Sequence, residues 1–216
     1  MNLPLPRLHR PRVEGDRQRE ILDAAIEVLS EVGYDRFTMD AVSSRAKVSK
    51  ATLYRHWEGK VDLVVDALSN LKDEGDELPD TGTLRGDLLT VMCGHGGLDD
   101  QRSTSLFAGV LTAISRDPEF ASAFRERFIA PKVERSDACW RRAADRGELR
   151  EGLDLDLMSP ACAGIVLHRT FLLGEAPTVD VITKVIDQII LPAALKPSVL
   201  KRELAFAHPS ATKEKK

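Results

Sequence analysis

Few residues in this chain have the types and spacing that covalent or metal chemistry requires. Cys93 and His95, in the string CGHG, have a spacing that can supply two metal ligands, and Cys162 and His168 follow in a later segment. A metal site needs a compact third and fourth ligand, and the sequence offers none. Cys93 is therefore read as a partly buried thiol and His95 as a loop histidine. A Gly-rich phosphate loop, an HExxH string and a paired nucleophile and base are also missing. No catalytic residue, metal or cofactor is assigned, and the chain is not read as an enzyme. What remains is the chemistry of binding. Between 45 and 60, five basic residues (Arg45, Lys47, Lys50, Arg55 and Lys60) stand against the single acid Glu58. Such a small basic patch suits a phosphate backbone, whose contacts set register and salt dependence while base contacts specify sequence.

Those residues need helices to present them. Ile21, Ala24, Ala25, Val28, Leu29 and Val32 recur at three and four residues, predicting a helix from Arg17 that Gly33 ends. Asp16 is a candidate N-cap or a solvated acid. Thr38 can cap a short helix over 38–46, and Ser49 a second over 49–57, with Leu53 and Trp57 one turn apart as its anchors. Two short helices joined tightly, covered by a longer one, predict a helix-turn-helix. Lys50, Ala51, Thr52, Tyr54, Arg55 and His56 would then face outward, toward a major groove that distinguishes all four base-pair orientations. A fourth helix opens at Lys60–Val61.

Composition bounds the rest. The 216 residues carry 31 Lys and Arg against 34 Asp and Glu, a formal charge of −3. That average hides an asymmetry: residues 1–60 hold eleven basic against nine acidic residues, so the acidity belongs to the remainder. No run approaches about eighteen apolar residues, so no transmembrane helix is expected. Three cysteines and the lack of a secretory signal suit a cytoplasmic chain.

The string TMDAVSSRAKVSKATLYRHWEGKVDL resembles the DNA-binding domain of the TetR family of transcriptional regulators, over residues 17 to 65. The family pattern falls on Thr38, Ala46, Val48, Ser49, Thr52, Leu53, Tyr54, Trp57 and Lys60. The resemblance implies phosphate contact from Thr38 and Lys60, base-edge contacts from Lys50, Ala51 and Thr52, and backbone positioning from Tyr54 and His56. Arg55 suits either groove or phosphate, and Ser49 lies at the start of the recognition helix. Three positions depart from the pattern. Lys47 stands where the family usually has Gly at a turn position that favours positive φ, a strain of about 1 kcal/mol that an added phosphate contact would offset. Ala51 replaces Gly and leaves a methyl group for thymine. Ser43 replaces Ala, a small change expected to be tolerated.

The second half is also helical in rhythm, so the expected fold is all-α. Helices are predicted near 83–93, 101–115, 118–146, 158–173 and 178–195, with Pro131 kinking or dividing the third. The expected organisation is a flexible basic arm (1–15), a helix-turn-helix domain (16–62), a larger ligand-binding and dimerisation domain (63–197) and a polar tail (198–216). The resemblance implies a homodimer on a pseudo-palindromic double-stranded operator, with half-sites roughly 34–36 Å apart. Dimer residues are expected in the most apolar last two helices: Ile165, Val166, Phe171, Leu172, Ile182, Val185, Ile186 and Ile189. Met92, Phe107, Leu111, Phe124, Phe128, Trp140, Ile165 and His168 are expected either to line a pocket or to form core. Few charges converge in these stretches, so the small-molecule effector should be largely apolar. A ligand-responsive repressor is the leading reading. An activator or dual regulator of the same fold, or a helical scaffold without DNA binding, remains open.

Overall fold

The computed structural model of the chain describes residues 15–71, 78–93 and 101–207. The N-terminal arm to residue 14, His95 and the residues from 208 onward lie outside them. Among the described residues there is no strand, only one isolated bridge between Leu149 and Leu195. The helices are α1 (Asp16–Arg36), α2 (Met39–Ala46), α3 (Lys50–His56), α4 (Lys60–Ser69), α5 (Leu84–Cys93) and α6 (Gln101–Arg116). They continue as α7 (Pro118–Phe124), a π-turn (Arg125–Ile129), α8 (Ala130–Asp145), α9 (Leu155–Leu173) and α10 (Val179–Val185). A second π-turn (Ile186–Ile190), α11 (Leu191–Ala194) and α12 (Pro197–Ala207) close the order.

The chain divides into two compact units, 1–73 with 105–131, and 74–104 with 132–216. The first unit is larger than the expected 16–62 domain. Apolar residues of α4 (Leu63, Val64, Val65 and Leu68) join Ile21, Ala25, Val28, Val42, Leu53 and Trp57 in one core, to which α6 and α7 add Val110 and Phe120. Within it, Phe120, Phe124 and Phe128 stack at 5.8 and 4.6 Å, because four-residue spacing brings their rings over one another. Phe124 and Phe128 are therefore core. Gly15, not Asp16, occupies the N-cap of α1, and Asp16 sits in the first turn, where it favours the helix dipole. Gly33 breaks α1 with φ 73° and ψ 169°, a conformation open to glycine.

Pro131 acts one turn earlier than its own position. It has no N–H to give the carbonyl of Arg127, and the ladder loosens into the π-turn over Arg125–Ile129, where the Ala130 N–H bonds the Arg125 carbonyl instead.

The second unit has its own core of Leu84, Leu88, Cys139, Trp140, Cys162, Val166, Ile182, Val185, Ile186 and Ile190. This corrects part of the expected dimer face: Val166, Ile182, Val185 and Ile186 are 6%, 4%, 5% and 0% exposed within the protomer itself. Periodicity identifies an apolar helix face but not which neighbour covers it. Phe171 is half-buried, while Leu172 and Ile189 remain exposed. The expected polar tail is also corrected. It begins as α12, whose Val199 and Leu200 pack on this core and whose Glu203 is buried. Charged groups inside the unit are paired: Arg85 holds Asp187 through bonds of 2.7 and 2.9 Å. Glu148 accepts from Arg146 at 2.7 Å and from the Leu84 backbone amide at 3.1 Å, closing an otherwise open helix start.

Candidate nucleic-acid interface

The helix-turn-helix is assembled from local signals. Thr38 Oγ1 accepts the Ala41 amide at 3.2 Å and caps α2; Ser49 Oγ accepts the Thr52 amide at 3.1 Å and caps α3. Between them, Lys47 adopts φ 53° and ψ 47°, the one non-glycine residue with positive φ among those described. The departure from glycine is thus real strain, and two side chains brace it. Arg17 donates from Nη2 to the carbonyls of Ala46 and Lys47, each at 3.0 Å, and Ser43 Oγ donates to the Val48 carbonyl at 2.7 Å. Ser43 is more than a tolerated change: an alanine has no hydroxyl to close the turn.

Leu53 and Trp57 anchor the recognition helix with 0% and 2% exposure. Lys50, Ala51, Tyr54, Arg55 and His56 lie exposed, with Thr52 half-buried and its hydroxyl 2.9 Å from that of Ser49. Thr38 and Lys47 are exposed beside them. The predicted residues of α3 are therefore exposed around a helix that Leu53 and Trp57 hold from below.

The basic patch is smaller than the count between 45 and 60 implies. Arg45 bridges Glu27 and Glu31 of α1 at 3.0 and 2.6 Å. Lys50 reaches Asp40 of α2 at 2.8 Å, and this carboxylate raises the lysine pKa. Lys60 lies over the Tyr34 ring, 3.9 Å from its centroid, and partial burial lowers its pKa despite Asp35 and Asp117 nearby. These partners are ten or more residues distant in the chain, so no local pattern announced them.

The expected ligand residues are divided between the two units. Phe107, Leu111, Phe124 and Phe128 belong to the first unit, and Leu111 is 43% exposed. In the second unit, Trp140 is core, Met92 and Ile165 pack against the same cluster, and His168 is exposed. Trp140 carries a further feature: its indole N–H is buried with no hydrogen-bond acceptor among the described residues. No group of three or more His, Cys, Asp or Glu side chains among the described residues is placed to hold a metal ion. No helix among them is long and apolar enough to cross a membrane.

Comparison with known proteins agrees with this geometry. Residues 21–67 match the model of bacterial regulatory proteins of the tetR family, and residues 78–189 match the tetracyclin repressor-like C-terminal domain. The chain belongs to the TetR family. A helix-turn-helix transcriptional regulator of Mycobacterium tuberculosis strain H37Rv is 32% identical over 180 residues, covering 82% of this chain and 87% of its own. The DNA-binding transcriptional repressor TetR of Mycobacteroides abscessus is 33% identical, over 81% of this chain and 92% of its own. In fold, a TetR-family regulator from Rhodococcus sp. superposes with TM-score 0.65 at 14% identity, covering 82% of this chain and all of its own. FadR from Bacillus subtilis, solved with stearoyl-CoA, superposes with TM-score 0.61 at 18% identity, over 80% and 97%. This TetR-family chain is accordingly a DNA-binding transcriptional regulator, in a family of regulators rather than enzymes.

Proposed function

We propose that this regulator is a ligand-responsive repressor, acting in the cytoplasm as a homodimer on a pseudo-palindromic operator. The observation that carries the reading is the recognition helix, with Lys50, Ala51, Tyr54, Arg55 and His56 exposed over the buried pair Leu53 and Trp57. In this reading Lys50, Ala51 and Thr52 meet base edges. Thr38, Lys47, Ser49, Tyr54, His56 and Lys60 hold the phosphate backbone, and Arg55 reaches whichever is nearer.

Dimerisation is supported by the apolar surface of α9 and the helices after it. Leu157, Leu172, Leu173, Val179 and Ile189 are each about half exposed or more, and large exposed apolar side chains of that kind suit burial against a partner. Ile165, Phe171, Leu172 and Ile189 remain from the expected set as the residues that would meet a second copy. Repression is supported by the named repressor of Mycobacteroides abscessus among the relatives. An effector that is largely apolar is supported by the acyl chain of the stearoyl-CoA bound to FadR, a structural neighbour, and a polar atom on it would satisfy the Trp140 indole N–H, buried without an acceptor among the described residues. The effector would act by binding one of two DNA-binding states more tightly.

Selection of bound duplexes from a random DNA pool, with purified protein across a salt series, tests the reading. Enrichment of an inverted repeat with half-sites about one helical turn apart is expected. Folded protein that enriches no sequence at any salt concentration would overturn it.

A further inference from the structure

The recognition helix is tied to a residue distant in the chain and outside the helix-turn-helix. Trp57 closes α3, its backbone amide bonding the Leu53 carbonyl at 2.9 Å. Its indole Nε1 donates to Asp66 Oδ2 of α4 at 2.9 Å, a bond buried from solvent. The other oxygen of Asp66 lies 3.3 Å from Nη2 of Arg127, whose Nη1 donates to Asp62 Oδ1. Asp62 Oδ2 in turn accepts the Glu58 amide at 3.1 Å. Asp62 and Asp66 are one helical turn apart, so both carboxylates face the same way. Each gives one oxygen to the arginine and the other to the segment joining α3 and α4.

Arg127 sits inside the π-turn that Pro131 imposes. Its carbonyl, deprived of the proline N–H, lies 3.4 Å from Ser69 Oγ of α4, a hydroxyl that also donates to Val65 at 2.8 Å. Backbone and side chain of one residue thus both address α4. A planar guanidinium fixes two carboxylates in direction as well as distance, which an ammonium does not. Asp66 is only 6% exposed, and the guanidinium of Arg127 is the cation placed beside its carboxylate.

We propose that Arg127 is a positioning residue for DNA recognition: through Asp66 and Trp57 it sets the orientation of the recognition helix and makes operator affinity depend on the π-turn. The proposal rests on the DNA-reading function proposed above. Arg127 touches no base or phosphate in this scheme, and the chain beyond it runs straight into α8. A change in the π-turn is therefore passed to the end of α3 through two buried or half-buried hydrogen bonds.

The test uses the full chain carrying Trp140→Phe, so that Trp57 is the only fluorophore of its kind, with Arg127→Met, Arg127→Lys and Pro131→Ala added singly. Arg127→Met should weaken operator binding about tenfold, leave non-specific DNA binding and the salt slope unchanged, and shift Trp57 emission. Arg127→Lys should restore part of both changes. Pro131→Ala, which returns an N–H and allows a regular helix, should shift the same two signals without removing any charge. Unchanged operator affinity in Arg127→Met or, if that variant does not fold, in Pro131→Ala, overturns the proposal. So does a fall in the salt slope of about one, which would mark Arg127 as a phosphate ligand. If the unsubstituted protein selects no operator, the functional reading fails instead. The coupling is then decided by Trp57 emission, a shift supporting it and no shift overturning it.

Discussion

The ammonium of Lys60 rests 3.9 Å from the centroid of the Tyr34 ring, and the Tyr34 hydroxyl donates to Asp117 at 2.8 Å. Lys60, at the start of α4 and proposed above to meet phosphate, is thereby seated on a residue that follows the break at Gly33 and is bonded to the cap of α7. Burial and the Asp117 carboxylate together push the Tyr34 hydroxyl well above the usual tyrosine range, so it stays a donor at every physiological pH.

Two substitutions at Tyr34 separate the parts of this seat. Tyr34→Phe keeps the ring under Lys60 and loses only the hydroxyl, so urea midpoints should report a loss of about 1 kcal/mol. Tyr34→Leu also removes the cation–π contact and the ring packing on Phe120, 4.4 Å away, and should cost more. A Leu variant as stable as the Phe variant would show that the ring contributes nothing.

Asp117 predicts an acid limb in stability. The Phe120 amide and then the Tyr34 hydroxyl stabilise its ionised form and lower its pKa. A carboxylate whose folded pKa lies below its unfolded value contributes stability in full at neutral pH and loses it as pH falls through the folded value. Asp117→Asn should therefore lower the urea midpoint at pH 7, and the gap to the unsubstituted protein should narrow on acidification below the ordinary aspartate range. A gap independent of pH would refute the assignment.

Lys47→Gly should raise stability, because glycine takes φ 53° without the roughly 1 kcal/mol penalty a side chain incurs there. The same change should weaken DNA binding and lower the salt slope by about one if the lysine contacts phosphate. Arg17→Ala should act in the opposite direction on stability, since it frees the carbonyls of Ala46 and Lys47. Chemical denaturation of the three proteins checks the order.

Lys50→Ala and Tyr54→Ala address the exposed residues of α3 directly. Both side chains are exposed, so thermal unfolding should hardly move, while operator affinity should fall by about 1–3 kcal/mol. Lys50 must leave Asp40 to reach DNA, so Asp40→Asn should change affinity without changing the fold. Gel-shift titration against a selected operator reads both effects. Loss of fold in either alanine variant would mean that residue is structural.

The helix-turn-helix was legible because its information is local. Caps at Thr38 and Ser49, anchors at Leu53 and Trp57 one turn apart, and a turn position at Lys47 all lie within twenty residues. Short-range geometry decides each of them. The apolar run of α4 packs in the first unit's core, and a run of apolar positions does not reveal whether it completes the core before it or the one after it. The same limit put Val166, Ile182, Val185 and Ile186 on an interface when the protomer buries them itself, and it read Val199 and Leu200 as tail.

By itself the sequence determined the helical class, the position of the DNA reader and which residues of α3 point outward, because helix period and capping act over three or four residues. Only the tertiary structure decided which basic residues meet internal carboxylates, and which apolar faces are already covered. It alone joined Arg17 to the turn at Lys47 and Arg127 to Trp57 through Asp66. Those pairs lie about thirty to seventy residues apart along the chain. A hydrogen bond at that range has no period to announce it, only a fold that brings its ends together.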